Sequence, residues 1–209
     1  MSLENFSDKL ETTIKDSDNR TEQLEKNIEV EKPEFVEKKE TAKDFMNKLE
    51  NSECYSSYGE RLSQTPRENG TDSKGKWQGE RGESKYVPND EKAQDVLKEH
   101  GQNGIEYKDA MPNFEPVAKE SVEIQDMHAN RSETFRKADN ECAQKWNEKN
   151  FEGKNNWTGK DVADWRMDNK YTWHECNDRK TCQLVPTDIH SQCGHLGGFA
   201  ECKKRDGET

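Results

Sequence analysis

The sequence predicts an α+β fold in which a C-terminal β-hairpin and helix pack on a mainly helical subdomain, preceded by a charged helical or disordered N-terminal extension. Apolar residues recur at helical spacing in 131–147, whereas 171–175 and 181–185 flank a turn as the two strands of a hairpin. Hydrophobic residues make up 28% of the chain, charged residues make up 37%, and the mean hydropathy is -1.40. Such a chain cannot bury a large core along its whole length, so a substantial part is expected to be extended or disordered.

Composition divides the chain into three predicted parts. Residues 1–50 form a charged helical extension, because their apolar residues are spaced by three and four but do not sustain heptads. Residues 51–75 are rich in Ser, Gly, Asn and Thr, which is typical of a flexible linker. Four more tryptophans follow Trp77, and this change of texture predicts a folded domain over 76–209.

Apolar spacing and capping residues predict the elements of this domain in order. The predicted helices lie at 90–99, at 131–147 with Asn130 or Ser132 as the cap, and after a cap at Thr158. The predicted short strands lie at 104–108 and 122–127, with a turn-rich loop over 111–116 between them.

The C-terminal segment predicts a hairpin followed by a helix. Its strands are 171–175 and 181–185, joined by a turn at 178–180, and Pro186 stands at a strand end where its missing N–H is tolerated. Thr187 or Asp188 is expected to cap the helix, and Gly194 with the Gly197-Gly198 pair is expected to mark its end.

Three of the five histidines, His174, His190 and His195, fall within a window of 22 residues on this segment. Imidazoles can both hold a divalent metal ion and take a proton from water near neutral pH, and phosphodiester hydrolysis needs both abilities. His190 and His195 are five residues apart, so His195 must lie at or beyond a distorted helix end if both reach one ion.

The cysteines leave two interpretations open. None forms a C-x-x-C pair, so a structural zinc knuckle is not indicated. Cys176 and Cys182 would face each other across the hairpin, where a disulfide bond and a pair of free thiols are equally compatible with the pattern. A non-catalytic zinc-binding interaction module is the alternative function, although the irregular ligand spacing counts against it.

The net charge of -11 argues against a general electrostatic binder of nucleic acid. Residues 166–205 are locally basic, with seven basic against five acidic residues, and they bracket the histidines. The candidates for phosphate contacts are Arg166, Lys170, Arg179, Lys180 and the basic run 203–205. No apolar run reaches 18 residues and no signal-peptide pattern is present, so the chain as written is expected to be cytoplasmic and to lack a membrane-spanning segment.

The pattern Trp-His-Glu, then Gln-Leu-Val-Pro, Ile-His and His-x-Gly-Gly over 173–198, resembles the WHH branch of the HNH/endonuclease VII nuclease superfamily. The resemblance extends weakly upstream to most of 76–205. It implies a ββα-metal finger at about 171–200 and an endonuclease that uses one divalent ion (Mg, Mn, Zn or Ni), with DNA favoured as the substrate and RNA possible. Many members are toxin domains of bacterial polymorphic toxin systems, which implies delivery into a target cell and a cognate immunity protein.

Carried over residue by residue, the resemblance implies that His174 is the general base and that His190 and His195 bind the metal. Gln183 is expected to steady the loop between the strands, and Trp173 to support the site. Glu175 departs from the branch, which has a second histidine there. Glu175 is therefore a metal ligand, a partner that orients His174, or the base itself with His174 as a metal ligand.

Overall fold

The computed structural model describes residues 54–68 and 73–207, so the predicted extension over 1–50 lies outside the described residues. The helices of the described part are α1 (Tyr58–Gln64), α2 (Glu91–Glu99), α3 (Arg131–Glu148), α4 (Gly159–Asp168), α5 (Thr187–His190) and α6 (Gly198–Arg205). Its strands are β1 (Gly75–Trp77), β2 (Lys85–Pro88), β3 (Ile105–Lys108), β4 (Met111–Pro112), β5 (Glu120–Glu123), β6 (Tyr171–Glu175) and β7 (Thr181–Pro186). None of the described helices is long and apolar enough to cross a membrane.

Strands β1 to β4 form an antiparallel sheet in sequence order. Buried and exposed residues alternate along β3, so one face of the sheet is apolar. Tyr107 on β3 contacts Trp77 on β1 edge to face, with ring centroids 4.8 Å apart, and it also contacts Tyr86 on β2. Each such ring pair adds about 0.5–1.5 kcal/mol beyond the area it buries, so the three rings hold this face together.

Strands β5, β7 and β6 form a second antiparallel sheet, in that order. β6 and β7 make the predicted hairpin, with Trp173 opposite Leu184 and His174 opposite Gln183. Every residue of β7 is buried, as expected for a central strand covered on both faces. Trp146 on α3 and Val162 on α4 share one apolar core with Trp173 and Leu184, so these helices cover the sheet.

The predicted caps are present at two helix starts. The side chain of Asn130 accepts a hydrogen bond from the N–H of Glu133 at the start of α3. Thr158 and Asp161 form a capping box at the start of α4. Caps of this kind contribute about 1 kcal/mol each, and they explain why both helices begin where the sequence predicted.

The subdomain before the hairpin contains five short strands, β1 to β5, in addition to the helices α2 to α4. Strands β1, β2 and β4, which the sequence did not predict, have between two and four residues each, too few to give a clear alternating pattern. They form a sheet through their pairing with one another and with the predicted strand β3.

Residues 54–68, which we call the strap, are folded although they lie in the predicted linker. Glu201 on α6 accepts hydrogen bonds from the backbone N–H of Tyr55 at 2.6 Å and of Ser56 at 3.2 Å. Arg61 in α1 is buried, and its Nε donates to the carbonyl of Asp109 at 2.9 Å. The buried carboxylate of Glu201 thus binds the backbone of the strap, the buried Arg61 of the strap binds the backbone at Asp109, and composition alone cannot reveal such partners.

No disulfide bond joins Cys176 to Cys182; both lie beside the turn of the hairpin, and Cys182 stands opposite Glu175 rather than opposite Cys176. Both side chains are buried, and burial raises the pKa of each thiol well above its ordinary value. The two residues therefore act as small apolar core residues.

Candidate metal centre

Three imidazoles converge on one point. His174, His190 and His195 each offer one ring nitrogen, and these three atoms all lie within 4.8 Å of one another. The ring centroids are 4.7 to 5.5 Å apart. One ion can therefore reach all three side chains, because Zn–N bonds of about 2.0–2.1 Å require ligand atoms only a few ångströms apart.

A strand, a helix end and a loop carry the three histidines. His174 lies on β6, His190 is the last residue of α5, and His195 follows in the loop before α6. α5 is a single turn, which corrects the expectation that the helix runs on to Gly194. Its Ncap is Pro186, without a side-chain capping bond, and Gly197 is the Ncap of the next helix. His195 thus lies beyond a helix end, as the five-residue spacing required.

The helix ends early because its last hydrogen bonds change from the α-helical to the 3₁₀ pattern. The N–H of Gln192 donates to the carbonyl of Ile189, and the N–H of Cys193 donates to that of His190. Both bonds join residues three apart, the pattern of a 3₁₀ turn, which closes a helix end. The chain then turns back and brings His195 toward His190.

Two ring nitrogens have no hydrogen-bond partner and a third is bound to a backbone carbonyl, which is the pattern expected of metal-binding histidines. Within the described part of the chain, His174 Nδ1 and His190 Nε2 are buried and have no hydrogen-bond partner. His195 Nδ1 lies 2.6 Å from the carbonyl of Cys193, so the neutral ring donates there and keeps the Nε2 lone pair available. A buried polar atom without a partner costs about 1–3 kcal/mol, and a divalent ion would remove that cost. The residues present therefore fit a metal ion.

Burial keeps the three rings neutral. It lowers the pKa of His174 well below the ordinary value and that of His190 to about 3, and the neighbouring histidines lower both further. Burial also lowers the pKa of His195. Neutral imidazole is the form that binds metal, so the site is ready for an ion at neutral pH.

Phe114 forms an apolar floor under the site that sequence reasoning missed. Its ring centroid lies 4.8 Å from that of His174, 5.4 Å from that of His190 and 5.8 Å from that of His195. It is fully buried. A lone aromatic residue in the predicted loop over 111–116 carries no signal of this role, because it reaches the histidines only through the fold.

Glu175 and the histidines line one cavity of about 500 Å³. Glu175 Oε2 accepts a hydrogen bond from Arg131 Nε at 3.3 Å, whereas its Oε1 is buried without a partner among the described residues. Burial raises the pKa of this carboxyl, and Arg131 opposes the rise. One carboxylate oxygen is therefore available for a proton or a water molecule.

Arg131 is the basic residue in the lining of this cavity, and sequence reasoning saw it only as a helix start. Its side chain is 59% exposed, against 4% for Glu175. Its guanidinium lies over the ring of Phe199 at 4.7 Å from the centroid, and Lys203 Nζ lies 5.6 Å from the same centroid. Two cations thus gather around one ring beside the cavity.

None of the basic residues predicted to contact phosphate lines the cavity of the histidines, neither Arg166, Lys170, Arg179 and Lys180 nor the run 203–205. Arg166 instead donates two hydrogen bonds to Asp139, with Nε–Oδ1 at 2.9 Å and Nη2–Oδ2 at 3.3 Å. Lys170 is exposed just before β6. Arg179 and Lys180 line a second cavity beside the hairpin turn.

The two predicted supporting residues make contacts of other kinds. Trp173 is buried, and its Nε1 donates to Asp139 at 2.8 Å. Gln183 donates to Glu115 Oε2 at 2.8 Å, rather than to the turn between the strands. That turn is held by Asp178, which accepts from the N–H groups of two following residues. Gln183 therefore ties β7 to the segment after β4.

Residues 104–197 match the family model described as the DNase/tRNase domain of colicin-like bacteriocins. This range contains the three histidines, Phe114 and Arg131. No curated protein matches the chain. The similarity covers somewhat less than half of the chain, and it supports a nuclease toxin domain.

Proposed function

We propose that this chain is a metal-dependent endonuclease of the HNH type that hydrolyses phosphodiester bonds in nucleic acid. The observation that carries the proposal is the convergence of three neutral imidazoles within 4.8 Å, in a range that resembles DNase and tRNase domains. An antiparallel hairpin followed by a one-turn helix supports a ββα-metal finger at this place. The description of the matching family leaves both DNA and RNA as substrates, and we place DNA first.

His190 and His195 are the proposed metal ligands, and the geometry favours His174 as the third. His174 Nδ1 is buried without a partner, and one nitrogen of its ring lies with those of the other two. A divalent ion bound there would stabilise the charge that grows on the phosphate and on the leaving oxygen. Three protein ligands also leave a position open for water or substrate, as catalytic sites require.

Glu175 is the proposed general base, with His174 as a metal ligand, which is the third of the three roles that the sequence left open for Glu175. Its Oε1 is unpartnered within the described residues and its side chain lines the cavity, so it is placed to take a proton from water. Arg131 holds the other oxygen and orients the carboxylate. His174 cannot be the base while it binds the ion.

Arg131 and Lys203 are the proposed phosphate contacts; Lys203 belongs to the basic run 203–205 predicted from the sequence, whereas Arg131 was not predicted. Both lie around the ring of Phe199, and Arg131 reaches into the cavity. Guanidinium groups bind phosphate oxygens well because their donors match phosphate geometry. A small basic rim of this kind is compatible with the net charge of -11.

The biological setting is proposed from the same similarity. A domain of the colicin type suggests a toxin that acts in a target cell and that a cognate immunity protein inhibits. Co-expression with the product of a neighbouring gene, followed by co-purification and loss of nuclease activity, would identify that partner.

Cleavage assays with the full chain test the proposed activity. Protein stripped with EDTA is supplied with Mg²⁺, Mn²⁺, Zn²⁺ or Ni²⁺ and incubated with plasmid DNA and with total RNA. We expect metal-dependent cleavage that His190→Ala abolishes, because losing even an outer partner of a ligand costs roughly 10- to 100-fold. His100→Ala is the matched control, since His100 ends α2 and is not in the lining of the cavity.

Cleavage that survives EDTA, or that His190→Ala leaves unchanged, contradicts the proposal. Tight Zn²⁺ binding without cleavage of either polymer supports the non-catalytic interaction module instead. Cleavage of RNA alone would make RNA, rather than DNA, the preferred substrate.

A further inference from the structure

The loop that carries His195 is held on both sides of that residue by buried side chains from distant segments. Tyr107 Oη donates to the carbonyl of Gly194 at 3.2 Å, and Asn177 Nδ2 donates to the carbonyl of Leu196 at 3.0 Å. Tyr107 and Asn177 are each only 3% exposed. We infer that Tyr107 and Asn177 are positioning residues that set the place of His195 in the metal site, an inference that rests on the proposed function.

Tyr107 connects the loop to the N-terminal sheet. Its ring contacts those of Trp77, at 4.8 Å, and Tyr86, at 6.4 Å, so the direction of its hydroxyl is set by packing. Gly194 and Tyr107 are 87 residues apart in the chain. The bond therefore fixes the loop against a part of the fold that carries no proposed ligand.

Asn177 connects the loop to the hairpin that carries His174. It lies in the turn after β6, and its Nδ2 also lies 3.5 Å from Glu201 Oε1 on α6. Two acceptors thus orient one amide. Because Asn177 is three residues after His174, it ties His195 to the strand that holds His174.

Two glycines, which have no side chain, allow the same loop to pack closely against its neighbours. A Cβ at Gly194 would lie 2.4 Å from the carbonyl oxygen of Gln64 in the strap, and a Cβ at Gly197 would lie 2.7 Å from that of Glu175. Both distances are far below van der Waals contact, so the backbone passes where no larger residue fits. The hydrogen bond from His195 Nδ1 to the Cys193 carbonyl then sets the ring orientation.

These contacts explain how two histidines five residues apart can share one ion. The one-turn helix ends at His190. The hydrogen bonds from Tyr107 and Asn177, the two anchors of the loop, fix where the following loop returns to the site. Loss of an anchor lets His195 Nε2 move relative to the other two nitrogens. The expected consequence is weaker metal binding in a chain that remains folded.

Tyr107→Phe tests the first anchor, with Tyr86→Phe as its matched control. Tyr86 is equally buried in the same ring cluster, but its hydroxyl has no hydrogen-bond partner among the described residues. Zn²⁺ affinity of the full chain is measured by competition with a chromophoric chelator. We expect roughly tenfold weaker binding for Tyr107→Phe and no change for Tyr86→Phe. Equal affinities of Tyr107→Phe and the wild type would overturn the inference.

Asn177→Ala tests the second anchor, with Ser56→Ala as its control. The hydroxyl of Ser56 also donates to Glu201 but, among the described residues, has no hydrogen bond to the loop, so Ser56→Ala removes a partner of Glu201 without removing a contact of the loop. We expect weaker Zn²⁺ binding for Asn177→Ala only. Thermal unfolding shows whether each variant is folded, and Tyr107→Phe decides the matter if Asn177→Ala is not.

Two further measurements separate this inference from the proposed function. In metal-free protein, long-range proton–nitrogen NMR spectra should show one sharp His195 tautomer in the wild type and a broadened signal in Tyr107→Phe. At saturating metal, the cleavage rate of Tyr107→Phe should return close to that of the wild type.

A chain that binds Zn²⁺ but cleaves nothing refutes the nuclease and leaves the affinity test in force. A chain that binds no metal refutes the metal site, and unchanged His195 signals in Tyr107→Phe then overturn the positioning role as well.

Discussion

At the residue scale, the three imidazoles combine burial with available lone pairs. Phe114 removes water from one side of the rings, and no proton competes for the nitrogens near neutral pH because burial lowers their pKa values. Glu175 has the opposite shift, since burial raises the pKa of a carboxyl. Neighbouring groups in one strand are thus tuned in opposite directions by the same burial.

Glu175→Gln should separate catalysis from metal binding. The amide keeps the size of the side chain but cannot accept a proton, so we expect kcat to fall by about 10²- to 10⁴-fold. Zn²⁺ affinity should stay unchanged, because Glu175 is not among the three converging groups. Single-turnover cleavage and chelator competition measure the two quantities. A parallel fall in affinity would instead make Glu175 a ligand.

Stability of the metal-free protein should depend on pH through the same histidines. Their folded-state pKa values lie below 6.5, the ordinary value, so below about pH 6.5 the unfolded chain binds more protons than the folded chain. The free energy of unfolding should therefore fall as the pH decreases from 7 to 5. Urea unfolding in EDTA measures it, and His190→Gln with His195→Gln should flatten the dependence. Equal wild-type stability at both pH values would contradict the burial effect.

At the element scale, β7 is the strand on which the site depends. It pairs with β6, which carries His174 and Glu175, and with β5 on its other side. α5 follows it directly and ends at His190. His174 therefore lies on the strand next to β7, and His190 lies at the end of the single helical turn that follows β7.

Leu184→Ala should destabilise the domain strongly. Leu184 is fully buried opposite Trp173, and truncation of such a residue costs about 2–5 kcal/mol. Val87→Ala on β2, a half-buried position, should cost clearly less. Urea unfolding of metal-free protein compares the two variants. A smaller loss for Leu184→Ala than for Val87→Ala would show that β7 is not the central packing element.

The hairpin and the long helices were predictable because their signals are local. The turn between 171–175 and 181–185 and the caps at Asn130 and Thr158 act within a few residues, and the structure has these elements. The alternation of Ile105 and Tyr107 also predicted β3, whereas β1, β2 and β4 were not predicted, because such short strands depend on the strands they pair with. In the site, motif spacing indicated the three histidines, whereas Phe114 and Arg131 reach it only through tertiary packing.

At the scale of the whole molecule, the strap makes the folded part longer than the predicted domain over 76–209. Its backbone is bound by Glu201 near the C-terminal end, and Arg81 Nη2 donates to the carbonyls of Leu62 at 2.6 Å and Thr65 at 2.8 Å. Gln64 in turn lies against the loop of His195. Nuclease assays should therefore use chains that begin before residue 54.

Glu201→Ala should release the strap. Glu201 is fully buried and accepts from the N–H groups of Tyr55 and Ser56, and leaving such groups unsatisfied costs about 1–3 kcal/mol each. Trypsin should then cleave after Arg61, which is buried in the wild type. Lys204→Ala, which removes a surface ion pair with Glu60, is the control and should leave the strap protected. Equal protection in both variants would contradict the role of Glu201.

The anchoring of the histidine loop by Tyr107 has a consequence for any shortened peptide. A fragment over 171–198 would contain the whole motif and all three imidazoles, yet neither Phe114 nor Tyr107. Its histidines would have to pay the full conformational entropy of coming together, so it should bind an ion only as loosely as an unstructured peptide does. The motif can be recognised in fewer than thirty residues, but its affinity for metal is a property of the assembled domain, and bound metal is therefore a direct readout of correct folding.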